Sequence, residues 1–137
     1  MRRLSLTSLV VPLILGGALA GCGGPPAPAE PELHTVAAGN LRLVGSPPPD
    51  SRRLTVQYVA GALLWESQPV ARVEVDQDNT RVVVRVFVNE RVPAADESVP
   101  NVATVRTATV DLDQPLGPAA VLDGSVTPPT PMPHQQQ

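Results

Sequence analysis

Lysine is absent from this chain, and all 10 basic residues are arginine. Cysteine occurs once, at Cys22, and the aromatic side chains are limited to Tyr58, Trp65 and Phe87. A single cysteine excludes an intrachain disulfide. Without lysine no Ser-x-x-Lys nucleophile can be completed, and no serine lies in a Gly-x-Ser-x-Gly context. The scarcity of aromatics means that a core must be filled by Val, Leu and Ala. Proline, by contrast, is abundant, with 17 residues concentrated toward the two ends.

The first segment reads as an export signal. Met1-Arg2-Arg3 supplies a positive start, Leu9 to Leu15 an apolar stretch, and Gly16 to Ala20 a run of small residues. The apolar stretch is shorter than the ~20 residues of a membrane-spanning helix. Leu19-Ala20-Gly21-Cys22 resembles the lipobox of bacterial lipoproteins, in which small residues fit the peptidase groove and the cysteine thiol receives a diacylglyceryl group. Two acyl chains hold a protein stably on a bilayer, whereas one does so only reversibly. The expectation is a lipoprotein signal peptide over 1–21, cleavage before Cys22, and lipid anchorage on the extracytoplasmic face of the cell membrane. The alternative is a plain secreted protein with a cysteine in that place by chance. Leu4-Ser5 after Arg2-Arg3 is not the apolar pair of a twin-arginine signal, so general secretion is expected. Gly23 is not the aspartate that retains many lipoproteins on a Gram-negative inner membrane.

With Arg2 and Arg3 removed, 8 basic residues face 13 acidic ones, and 8 − 13 leaves a mature side-chain charge of −5. Nucleic acid is therefore not an expected partner, and no polybasic segment exists to hold an anionic membrane surface. Membrane contact is expected through the lipid on Cys22.

The mature chain divides by composition. Residues 22–40 carry the lipidated cysteine and a Pro/Gly-rich tether, beginning Gly23-Gly24-Pro25-Pro26-Ala27-Pro28. Residues 125–137 hold further prolines and a terminal glutamine run, and are expected to be disordered. Residues 41–124 form the folded domain, with period two. Arg53 to Val59 alternates, with Leu54, Val56 and Tyr58 on one face. Ala71 to Gln77 does likewise with Val73 and Val75, and Asp78-Asn79 makes a turn into Thr80 to Val88. Val102 to Leu112 predicts a long strand, Ala119 to Leu122 a short closing one, and Leu41 to Val44 a further candidate. The expected fold is all-β, a small antiparallel immunoglobulin-like sandwich or open barrel of five or six strands.

Little in the domain suggests chemistry. Once Cys22 is lipidated, it can serve neither as nucleophile nor as metal ligand. His34 and His134 fall in the tether and tail, where nothing would frame an imidazole. Asp76, Asp78 and Asn79 lack the later glycine and distal glutamate of a calcium loop and read as a turn. Asp111, Asp113 and Asp123, and separately Asp96 with Glu97, form candidate acidic patches without a specific pattern. An enzyme using Glu74 or Asp111 would need carboxylates facing across a cleft, whereas alternation turns these outward. No catalytic residue, metal site or cofactor is expected, and the chain reads as a non-enzyme. The apolar Leu63-Leu64-Trp65 lies where a connection should be polar. It is either an interaction loop or a plug in which Leu63 and Trp65 fold back into a core short of volume.

From Leu54 to Gly124 the chain resembles a β-domain of short actinobacterial secreted proteins and lipoproteins. The resemblance rests on Leu54-Thr55-Val56-Gln57-Tyr58, the alternating Val73 to Val88 hairpin, Thr109 to Gly117, and Val121-Leu122-Asp123-Gly124. Arginine without lysine, alongside abundant Ala, Val, Pro and Gly, agrees with a GC-rich genome of that kind. The resemblance implies an exported β-fold with no assigned activity. It also implies a cysteine pair near Leu63 and Asn101, which this chain lacks. The resulting expectation is an envelope binding module for a protein or wall component. The alternative is a small-ligand-binding β-domain with its pocket near Trp65.

Overall fold

Alternation of buried and exposed residues sets the architecture. In a computed structural model, which describes residues 23–135, the chain forms a two-layer β-sandwich without a helix among the described residues. The expected signal peptide, with Leu19, Ala20 and Gly21 of the expected lipobox, and Cys22 lie outside the described residues, as do Gln136 and Gln137. The strands are β1 (Leu33–Ala37), β2 (Gly39–Val44), β3 (Arg53–Ala60), β4 (Val70–Gln77), β5 (Arg81–Arg91), β6 (Thr104–Asp111), β7 (Ala120–Asp123), β8 (Thr130–Pro131) and β9 (His134–Gln135).

One sheet is organised around β5, the longest strand. β4 runs antiparallel along one edge, from Val70 opposite Val88 to Gln77 opposite Val82. The other edge is shared: β7 pairs parallel with Arg81 to Val84, and β1 pairs antiparallel with Phe87 to Arg91. β8 then adds to β7. The second sheet has the order β6-β3-β2-β9. β3 and β6 are in unbroken antiparallel register from Arg53 opposite Asp111 to Ala60 opposite Thr104.

The inward faces make one core. Leu54, Val56 and Tyr58 of β3, Val82, Val84, Val86 and Val88 of β5, Leu41 and Leu43 of β2, and Ala108 and Val110 of β6 are all buried. Each fully buried Val or Leu contributes about 1.5–3 kcal/mol relative to exposure. Tyr58 is the aromatic of this core. Phe87 lies on the outer face of its sheet, with the Arg72 guanidinium 3.7 Å from its ring centre.

The chain passes from one sheet to the other between β1 and β2. Ala38 N–H still bonds Val86 O of the first sheet at 2.9 Å. Asn40 then takes φ 54°, and the β2 register shifts between Gly39 and Arg42. Asparagine tolerates this left-handed conformation better than most non-glycine residues. The bend turns Leu41 N–H away from a ladder partner, and the buried Asp123 carboxylate accepts it at 3.2 Å while also accepting Ser125 N–H at 2.8 Å.

Several expectations need correction. The folded region extends beyond 41–124 in both directions, and the described residues form nine strands where five or six were expected. β1 and the start of β2 occupy what composition marked as tether, so among the described residues there only Gly23 to Glu32 and Ala38 lie outside the strands. The segment marked as a disordered tail contributes β8 and β9. It is held by Met132, which is buried in the core, and by Met132 N–H to Val121 O and Leu43 N–H to Pro133 O. Two of the pairings, β5 with β7 and β2 with β9, are parallel. The sheets do not close into a barrel.

Candidate interaction site

Three connections meet at one end of the sandwich: the β3–β4 loop (61–69), the β5–β6 loop (92–103), and the chain entering β1. The first carries Leu63-Leu64-Trp65. Its backbone is pinned to the C-terminal end of β5 by Trp65 N–H to Asn89 O at 2.8 Å and Arg91 N–H to Leu63 O at 2.9 Å. Asn89 also donates from Nδ2 to Gln68 O at 2.9 Å. With the backbone fixed this way, Leu64 points into the core and is 7% exposed. Leu63 and Trp65 stay half-buried on either side of it. The plug is thus Leu64, and not the Leu63 and Trp65 of the sequence expectation, because one residue between two β-type backbone contacts faces opposite to its neighbours.

The β5–β6 loop is ordered by an ion pair. Arg91 donates from Nη1 to Glu97 Oε2 at 2.6 Å and from Nη2 to Oε1, while Ala94 N–H bonds Glu97 Oε2 at 3.2 Å. The Arg91 side-chain hydrogen bonds, helped by the Ala94 amide, lower the Glu97 carboxyl to about 2. Glu97 is therefore a loop anchor, and not half of a free acidic patch with Asp96.

Between the two loops lies a hollow of about 230 Å³ whose walls include Leu63, Glu90, Val99, Pro100, Asn101 and Val102. The loop positions around Leu63 and Asn101 therefore share one site. Exposed apolar side chains surround it. Among the described residues six large hydrophobic side chains are exposed, and five of them, Leu33, Val92, Val99, Val102 and Val105, belong to this end. Leu33 opens β1 opposite Arg91, and Val92 N–H bonds Glu32 O at 2.8 Å. The N-terminal segment therefore leaves the domain from the same place.

Charges at this end are mainly acidic and mostly paired. His34, placed on β1 and not in a loose tether, lies 3.5 Å from Glu90, and Arg106 pairs with Glu66. The pattern failed to locate His34 because β1 buries almost nothing and is held by backbone pairing with β5.

The remaining candidates are spent elsewhere. Asp78 accepts Thr80 Oγ1–H and Thr80 N–H, both at 2.7 Å, and Arg81 N–H at 3.0 Å. These bonds lower its carboxyl to about 2 and make it a hairpin turn. Glu74 pairs with Arg72 and Asp111 with Arg53 on outward faces. Asp123 is buried on backbone amides and belongs to no acidic patch with Asp111 and Asp113. Among the described residues no three His, Cys, Asp or Glu side chains are grouped to hold a metal ion.

Sequence reasoning missed a second concavity, at the opposite end. An apolar groove of about 340 Å³ is lined by residues including Leu43, Pro47, Leu116, Val121, Met132 and His134. His134 Nδ1 lies 3.2 Å from Gly45 O, so this histidine too is held against the fold. The groove is far from Trp65, where a ligand pocket was expected. No sequence signal marked it, because Met132 and His134 reach it from a stretch whose composition resembles a linker. Compared with known protein families, curated proteins and solved structures, the chain finds no match.

Proposed function

We propose that this chain is an extracytoplasmic lipoprotein, anchored through lipid on Cys22, whose β-sandwich is a non-enzymatic interaction module acting through the end that carries Leu63, Trp65, Val99 and Val102. The observation that carries this reading is the gathering of five of six exposed large hydrophobic residues at one end. Exposed apolar side chains gathered at one end of a small domain mark a contact site. The resemblance to an actinobacterial exported β-domain is compatible with it, since the two loops implied to carry a cysteine pair wall a single hollow. The test is site-specific photo-crosslinking in cells from position 102, with position 113 at the other end as control. Adducts at 102 that are absent at 113 support the reading, and equal yields contradict it.

A second reading places a small apolar ligand in the groove around Leu43, Leu116 and Met132, on the strength of its volume and lining. Titration of the purified domain with a fluorescent fatty acid tests it. Ala119→Trp should abolish the binding without unfolding the chain.

A further inference from the structure

We infer that the partner of the apolar end is the bilayer itself: the domain stands on the membrane with Leu33, Val92, Val99 and Val102 in the interfacial layer. This rests on the lipid-anchor reading above and names the partner of that site. Three observations converge. The exposed apolar side chains lie on loops and strand ends, where a domain can touch a surface without exposing its core. The chain enters β1 at the same end, beside Val92. Gly23 to Glu32, ten exposed or half-exposed residues without regular structure, directly follows Cys22. A Pro-rich segment of that length spans about 30 Å, so an anchored domain stays within about that distance of the surface. At the roughly millimolar effective concentration that a short tether provides, even a contact with a dissociation constant of about 1 mM is half-occupied. Trp65, half-buried at the rim, has the amphipathic character of interfacial residues.

Charge sharpens the prediction. Arg91 and Arg106 are both engaged by glutamates, and His34 faces Glu90, while Glu32 and Asp96 at this end have no basic partner among the described residues. An end of this sign is repelled by anionic headgroups and not by zwitterionic ones, so contact should weaken as anionic lipid is added and recover with salt.

The experiment uses the full lipidated chain. With the Cys22 thiol occupied by lipid, Val102→Cys provides a single free thiol for an environment-sensitive fluorophore, and Asp113→Cys provides one at the far end. Both chains are reconstituted into phosphatidylcholine vesicles containing brominated acyl chains, after intact mass has established the lipid. Blue-shifted and bromine-quenched emission at 102 but not at 113, diminished by Val99→Asp in the 102-labelled chain, is the expected result. Lipidated protein whose label at 102 remains unquenched overturns the membrane contact while leaving the anchor intact. Absence of lipid on Cys22 overturns the anchor, and the proposal with it.

Discussion

At the scale of single residues, two neighbours at the end of β7 have separate roles, Asp123 reaching across to the second sheet and Gly124 packing on β5 of its own sheet. A Cβ at Gly124 would stand 2.7 Å from Val83 Cγ1, 2.8 Å from Arg85 Cγ and 3.1 Å from Val84 O. The chain after β7 presses directly on the outer face of β5, where Arg85 Nε also donates to Gly124 O at 3.0 Å. Gly124→Ala should therefore cost about 1–3 kcal/mol by overpacking, seen as a lower urea midpoint with an unchanged slope. A change confined to a few tenths would show that the β7 turn yields freely. Asp123→Ala removes the acceptor of Leu41 N–H and leaves a buried donor without a partner, a loss of about 1–3 kcal/mol. Chemical denaturation of this variant beside Asp113→Ala, which has no such role, separates the effect from a general loss of charge.

At the scale of elements, two segments with weak patterns prove structural. The β3–β4 loop is fastened to β5 and seated by Leu64, so Leu64→Ala should destabilise the domain by about 2–5 kcal/mol. Trp65→Ala should cost much less and act on contact at the apolar end. Thermal unfolding of the two variants decides between them, and a larger loss for Trp65→Ala would contradict the placement of Leu64 as the plug. The strap from Thr130 to Gln135 bridges β7 and β2 through two short pairings and Met132. Met132→Ala should release this strap and enlarge the apolar groove, read as faster amide exchange at Leu43 and Met132 relative to Tyr58.

What was legible in the sequence follows the same division. The β3 alternation, the β4–β5 hairpin and its Asp78 turn could be read because one face buries valines and leucines while the other meets water. β1 could not, since it is exposed along most of its length and gains its place from backbone pairing. β8 and β9 are two-residue strands flanked by prolines, whose composition is that of a linker. The apolar loop could be read as significant, but its facing could not: only tertiary backbone bonds decide which of Leu63, Leu64 and Trp65 turns inward. The groove at the far end is likewise made by residues distant in sequence.

At the scale of the whole molecule, acid should reveal the fixed carboxylates. Glu97 and Asp78 both have folded values of about 2, below their ordinary 4.5 and 3.8. Depressed carboxyl groups bind protons more readily in the unfolded chain, so their contribution is present above the ordinary values and lost as pH falls through the folded ones. Stability should therefore be level near neutrality and decline between about pH 4.5 and 2. Glu97→Gln and Asp78→Asn should each flatten part of that decline in urea titrations at stepped pH. Tyr58 behaves in the opposite sense. Burial raises its phenol, so the stability it adds is present below pH 10 and is lost at still higher pH as the buried hydroxyl ionises.

The proposed anchorage and orientation of the molecule depend on where the mature chain begins and what its first residue carries. The most direct measurement is the intact mass of the protein extracted from the membrane fraction of an expressing bacterium. The account predicts a chain starting at Cys22 with a diacylglyceryl group on its sulfur, and loss of membrane association in Cys22→Ala. A chain starting at another residue, or a Cys22 thiol free to be alkylated, would contradict the anchor and with it the orientation of the sandwich on the bilayer.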